Sequence, residues 1–260
     1  TGVFQFESDG MREHLKNLKP TSIKDLIAMN ALYRPGPMAN IPKFISRKNG
    51  KTSINYIHPS LEPILKETYG IIVYQEQVMQ ISQIIGGFSL AQGDMLRRAM
   101  GKKKAKLMAA FKIDFVKGAT ENKIDKKLAV EIFDLLEKFA QYGFNKSHST
   151  AYALVAYQTA WLKAHYPAEF FAANLSSEMF NTDRVVSLLS SAKRNNLTIL
   201  SPNINTSYSD FRALNAQHIA YGLAAVKNIG SKAADILSNH REKSGKYLNI
   251  FEICSIDSHI

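Results

Sequence analysis

Two adjacent arginines followed by three lysines are the strongest chemical signal in this 260-residue chain. The stretch runs Asp94-Met-Leu-Arg97-Arg98-Ala-Met-Gly101-Lys102-Lys103-Lys104. An arginine fork matches two phosphate oxygens at once, and a lysine adds less directional charge. At about 100° per residue, Met95, Leu96, Ala99 and Met100 share one side of a helix, and Arg97 and Arg98 leave from the other. Such a pair can grip a triphosphate or a DNA backbone. It can equally be a solvated basic face in which Asp94 pairs Arg98 one turn on.

A second run, residues 142–152, gathers Tyr142, Phe144, Lys146, His148 and Tyr152 ahead of an apolar segment. Aromatic rings stack on bases, Lys146 and His148 can meet phosphates, and a helix N-terminus favours anions. The alternative is a capping loop, with Ser149 as the cap and His148 a satisfied polar residue. A third run, 222–234, places Lys227, Gly230, Ser231 and Lys232 between an apolar stretch and a helix start. That pattern resembles half of a helix–hairpin–helix, whose backbone N–H groups donate to one DNA phosphate. An ordinary linker between helices would look the same. Nucleotidyl transfer with two Mg²⁺ ions needs clustered carboxylates, and no Asp-x-Asp pair occurs on a predicted strand. Phosphate-loop, zinc-protease, Cys-x-x-Cys and Gly-x-Ser-x-Gly patterns are also missing, and no histidines show ligand spacing.

The elements that must carry these residues are predominantly helical. Ser8 and Asp9 can cap a helix to about Leu18, and Ser22-x-x-Asp25 is a capping pattern for the next. Arg34-Pro-Gly-Pro37 ends that helix. Residues 69–74 (Tyr-Gly-Ile-Ile-Val-Tyr) predict one short strand. Val78, Ile81, Ile84 and Ile85 mark a helix that stops at Gly86-Gly87, and Ser89-x-x-Gln92 opens another that reaches Gly101. Amphipathic helices are expected near 105–121 and 126–140. After a loop over 141–149, the segment 150–165 is apolar nearly all round and reads as a central helix. Helices follow near 168–180 and 183–195. Beyond Leu197 three short strands at 198–202, 211–214 and 218–221 precede a helix at 232–241. The expected fold is mainly α: a multi-helix domain over 1–197 with a strand or two, then a small α+β segment over 198–260.

Lys and Arg number 33 against 22 Asp and Glu, a formal net charge of +11. That excess favours a polyanion, most simply nucleic acid, although a membrane surface or plain solubility would also fit. The single cysteine, Cys254, excludes an intrachain disulfide and suits a reducing cytoplasm. No segment reads as a signal peptide or membrane span. A start at Thr1 and an abrupt stop give the chain the look of a piece of something longer.

Six blocks, in order, carry a family resemblance. They are Val3-Phe-Gln-Phe-Glu-Ser8, Leu32-Tyr-Arg-Pro-Gly-Pro37, residues 69–80, residues 94–104, Tyr142-Gly-Phe-Asn-Lys-Ser-His148, and residues 157–169. The chain resembles the α subunit of bacterial DNA polymerase III, a C-family replicative polymerase, over its fingers domain and the start of its helix–hairpin–helix module. The resemblance implies a DNA-directed DNA polymerase whose three catalytic aspartates and Mg²⁺ lie in a palm domain before Thr1. Its expected partners are primer–template DNA, an incoming dNTP and, through regions outside this chain, holoenzyme subunits including the sliding clamp. It places Arg97, Arg98, Tyr142, Phe144, Lys146 and His148 near the nucleotide. Arg34, Lys102, Lys103 and Lys104 are candidates for DNA backbone contacts, with Lys227, Gly230, Ser231 and Lys232 at the hairpin. The competing reading is a basic DNA-binding or scaffold module with no catalytic role.

Overall fold

A computed structural model of the chain describes residues 1–101, 105–140 and 143–256. The fold is mainly α. Its contacts form two compact units, Ser8–Tyr157 and a second made of Thr1–Glu7 with Gln158–Ile260.

The first of these units opens with α1 (Asp9–Leu18), α2 (Ile23–Leu32) and α3 (Ile41–Lys48). The Ser8 hydroxyl accepts from the Met11 N–H, and Ser22 with Asp25 forms the expected capping box. Asp25 does more than cap. It is buried against the Lys48 ammonium at 3.6 Å and accepts from the Tyr69 hydroxyl at 2.9 Å. Burial, followed by that hydrogen bond to a carboxylate, pushes the Tyr69 phenol up to about 12.

A one-turn α4 (Glu62–Leu65) leads to α5 (Gln75–Gly86), α6 (Leu90–Gly101), α7 (Ala105–Glu121) and α8 (Lys126–Ala140). Ile81, Ile85, Leu96, Phe115, Phe133 and Leu136 form the centre of their shared core. Gly86 and Gly118 set how closely α5 and α7 approach. A Cβ built on Gly118 would lie 1.9 Å from the Gly86 carbonyl oxygen, and one on Gly86 2.5 Å from the Phe115 ring. The stop signal expected at Gly86-Gly87 therefore divides in two. Gly87, at φ +67°, is the left-handed cap, while Gly86 is a packing residue.

Residues 71–74 are extended and buried, as the strand expectation required, but they form no strand. The Ile71 N–H donates to the Thr68 carbonyl, and the next two donors that the structure pairs go to one side chain. Gln77 Oε1 accepts from the N–H groups of Val73 (2.8 Å) and Tyr74 (3.0 Å). Its Nε2 donates to the Ile64 carbonyl and the Thr68 hydroxyl. Among the described residues a single bridge, between Tyr74 and Phe144, is left for sheet-like pairing.

Helix α9 (Lys146–His165) starts four residues earlier than the composition implied. Asn145 takes the capping role, its side chain accepting from the His148 N–H, and Ser149 is buried inside the first turn, donating to the Ile27 carbonyl. The expected central burial is not met. Ser149, Ala153 and Ala156 are its buried residues, whereas Leu154, Val155, Tyr157, Trp161 and Leu162 are 42–50% exposed.

The second unit holds α10 (Pro167–Ser177) and α11 (Thr182–Arg194), then β1 (Thr198–Leu200), β2 (Arg212–Ala213) and β3 (His218–Ala220). The sheet order is β1-β3-β2, with β1 parallel and β2 antiparallel to β3. Phe171, Leu175, Leu188 and Ile219 fill its core. Two helices follow, α12 (Ser231–Ser244) and a short α13 (Ile250–Cys254) that the sequence reading did not anticipate. Buried Arg241 donates to the carbonyls of Ile204 and Ser207, holding the loop before β2.

Candidate nucleotide-binding face

Helix α6 buries Gly93, Leu96, Ala99 and Met100, while Met95, expected on that side, is 55% exposed. The opposite side presents Asp94, Arg97 and Arg98 as one cluster. Asp94 Oδ1 accepts from Arg97 at 2.7 Å (Nη2) and 3.0 Å (Nε), and Oδ2 accepts from Arg98 Nε at 2.8 Å. The hydrogen bond from Arg97, helped by both positive charges, holds the Asp94 carboxyl below the ordinary carboxylate range. Pairing with Asp94 had been the bland alternative to phosphate binding. The geometry contains the pairing without burying the arginines, since Arg98 keeps 69% of its side chain exposed and Arg97 keeps 31%. Three charges sum to one net positive, held on a rigid helix and open to an anion.

The 143–148 segment packs on the start of α5. Gln75 N–H donates to the Phe144 carbonyl at 2.9 Å, and Phe144 N–H donates to Val73. Gln75 Nε2 donates to the Gly143 carbonyl at 3.0 Å, and Gln75 Oε1 accepts from Arg97 Nη1 at 3.2 Å. The Glu76 carboxylate accepts from the Lys146 N–H and from Asn145 Nδ2. The Lys146 ammonium pairs with Glu67 and lies 5.4 Å from the Tyr74 ring. His148 sits between two rings, 5.4 Å from Phe144 and 4.3 Å from Tyr152. Arg34 joins from the end of α2, its guanidinium 4.2 Å above Phe144 and its Nε donating to Ala31. Burial lowers the Arg34 pKa from its ordinary value.

Of the sequence candidates, Arg97, Arg98, Arg34, Phe144, Lys146 and His148 thus lie in one connected network. Tyr142 and Lys102, Lys103 and Lys104 lie outside the described residues. Gln75, Glu76 and Glu67 are functional candidates that the motifs did not single out. For Gln75 and Glu76 the signal was the polar triplet Gln75-Glu76-Gln77 directly after an apolar run.

Lys227, Gly230, Ser231 and Lys232 belong to the other unit. Asn228 turns the chain at φ +71°, and Gly230 precedes α12 in an extended conformation with no side chain capping the helix. A Cβ on Gly230 would meet nothing within 4 Å. Lys227 and Lys232 are exposed, and neither makes an ion pair among the described residues. The hairpin leaves two cations facing solvent.

Comparison with known proteins assigns the family. The model of the bacterial DNA polymerase III alpha subunit finger domain matches residues 1–123, and a helix-hairpin-helix motif model matches residues 196–258. The DNA polymerase III subunit alpha of Borreliella burgdorferi is 54% identical over 245 residues, 94% of this chain. That of Xylella fastidiosa is 54% identical over 255 residues and that of Escherichia coli 49% identical over 262, each covering 98% of this chain. The chain belongs to the bacterial DNA polymerase III alpha subunit family. It spans about a fifth of the length of those alpha subunits, 21–23%. Within the family the fingers assignment covers Arg34, Gln75, Arg97 and Arg98, and the hairpin assignment covers Lys227, Gly230, Ser231 and Lys232. Among the described residues no three His, Cys, Asp or Glu side chains cluster to hold a metal, and no helix is long and apolar enough to cross a membrane.

Proposed function

We propose that this segment seats an incoming nucleotide and the primer–template during DNA synthesis by a bacterial replicative polymerase acting in the cytoplasm. The observation that carries the reading is the joining of Arg97 and Arg98 to the Arg34–Phe144–His148 stack through Gln75. Cations for phosphates and rings for bases stand on one network, the combination that nucleotide recognition requires. Arg97 and Arg98 are the ligands for the triphosphate. Each already donates to a carboxylate, so binding exchanges one anionic acceptor for another of higher charge. Phe144 and His148 form a stacking wall for the nascent base pair, with Lys146 beside them, and Tyr142 is a further candidate from its type and sequence position.

Polymerases of this kind are expected to use Mg²⁺. The donor set among the described residues does not fit such a site, because no three His, Cys, Asp or Glu side chains come together. What these side chains contribute is charge and position. The hairpin around Lys227, Gly230, Ser231 and Lys232 is a separate contact, aimed at a DNA phosphate. Arg34 and Lys102, Lys103 and Lys104 are further candidates for the backbone. We place the functional division near Leu197, with fingers over 1–197 and the hairpin module over 198–260, a reading that the helix-hairpin-helix match over residues 196–258 supports. Other holoenzyme subunits, the sliding clamp among them, are partners of regions outside this chain.

A charge-assisted arginine–phosphate contact is worth about 1.5–3 kcal/mol, roughly ten- to a hundred-fold in rate. In the full-length subunit, Arg97→Ala and Arg98→Ala are each expected to lower kcat/KM for dNTP incorporation by that factor at unchanged melting temperature. Unaltered kcat/KM in both variants would overturn the assignment. The second reading, a non-catalytic DNA-binding module, is favoured by the exposed lysines of the hairpin. It predicts that duplex affinity resides after Leu197 and that the arginine variants leave synthesis unchanged.

A further inference from the structure

We propose that Gln75 is a positioning residue that couples the nucleotide-stacking segment 143–148 to the Arg97 guanidinium. The inference deepens the triphosphate reading and rests on it. Gln75 is the first residue of α5 and makes three hydrogen bonds to two separate elements. Its backbone N–H donates to the Phe144 carbonyl at 2.9 Å and its side-chain amide donates to the Gly143 carbonyl at 3.0 Å. The same amide accepts from Arg97 Nη1 at 3.2 Å.

The chemistry of the neighbours fixes this orientation. A carbonyl can only accept and a guanidinium can only donate. Turning the amide over would set oxygen against oxygen and N–H against N–H. Glutamine is the residue that satisfies both at once, with no charge of its own. Contact is also steric, for a Cβ on Gly143 would fall 3.1 Å from Gln75 Cγ. The connected path therefore runs from the Phe144 and His148 rings through the Gly143 carbonyl, the Gln75 amide and Arg97 to Asp94 and Arg98. Seating a base pair against the rings displaces the Gly143 carbonyl, and the amide carries that displacement to the fork that meets the triphosphate.

The test is a double-mutant cycle in the full-length subunit, read by steady-state primer extension. Gln75→Met keeps the volume and removes both amide bonds. The expected result is a KM for dNTP raised roughly tenfold, with kcat within about twofold. In the Arg97→Ala background the same substitution is expected to add nothing, since the group it positions is gone. A purely structural role would lower the melting temperature and multiply with Arg97→Ala instead, and that product would overturn the proposal. So would a normal KM in Gln75→Met while Arg97→Ala alone is impaired, an outcome that leaves the triphosphate reading standing. If Arg97→Ala itself behaves as wild type, the underlying reading fails first. Should Gln75→Met not fold, Gln75→Glu, which keeps an acceptor for Arg97 and loses the donor to Gly143, runs through the same cycle with the same criteria.

Discussion

Replacing Gly118 with alanine tests whether the α5–α7 crossing is as close as the structure has it. The added Cβ would stand 1.9 Å from the Gly86 carbonyl oxygen and 2.9 Å from its carbon. Relieving the clash to 3.0 Å requires the helices to part by at least 1.1 Å. No rotamer change can absorb that, because the obstacle is backbone. Overpacking of this kind costs about 1–3 kcal/mol, with the upper half expected here. Alanine in a helix recovers about 1 kcal/mol, which leaves a net loss of about 1–2 kcal/mol. For a chain of this size that lowers the melting temperature by about 2–8 °C. Gly101→Ala is the control: its Cβ would meet nothing within 4 Å, and its melting temperature is expected to be unchanged or slightly raised. Both variants are read by circular dichroism of the 260-residue chain. A Gly118→Ala chain that melts at or above wild type would refute the close crossing.

The remaining predictions concern pH and salt. The Tyr69 phenol is raised in the folded state to about 12, above its unfolded value near 10. Its contribution is therefore fully present below pH 10 and is lost as pH rises through about 12. Tyr69→Phe is expected to flatten the alkaline arm of the stability–pH curve; an arm identical to wild type would show that another group sets it. Lys227→Ala and Lys232→Ala are each expected to reduce the slope of log K against log salt for duplex binding by about 0.9. A slope that stays the same in the double variant would remove the hairpin from the DNA contact.

The elements whose signals are local were legible in the sequence. Ser8, the Ser22–Asp25 box and the Ser89–Gln92 box all act across three residues or fewer, and the structure has each. Apart from α3, α4 and α13, the helices followed from periodicity and turn residues, as did the three C-terminal strands. What escaped the sequence depends on partners far along the chain. Gly118 meets Gly86, 32 residues earlier, and no period records that. The 69–74 run had the composition of a strand, but local carbonyls and Gln77 take its donors and Phe144 offers one bridge. The apolar 150–165 segment was read as central because composition cannot say how many faces of a helix are covered. Of the candidate site, the cations and rings were visible by type. The carboxylates and amides that position them were not, since Gln75 lies 68 residues from Gly143 and Glu76 70 residues from Lys146.

Gln77 has a consequence for how this part of the chain assembles. Every partner of its amide, Ile64, Thr68, Val73 and Tyr74, lies within the thirteen residues before it. Loop closure over so short a span is entropically cheap and fast. The amide bonds that hold the end of the extended run therefore need nothing from beyond position 77. The 143–148 segment adds its own bonds, to Val73 and Gln75, beside a turn whose Gln77 bonds are complete without it.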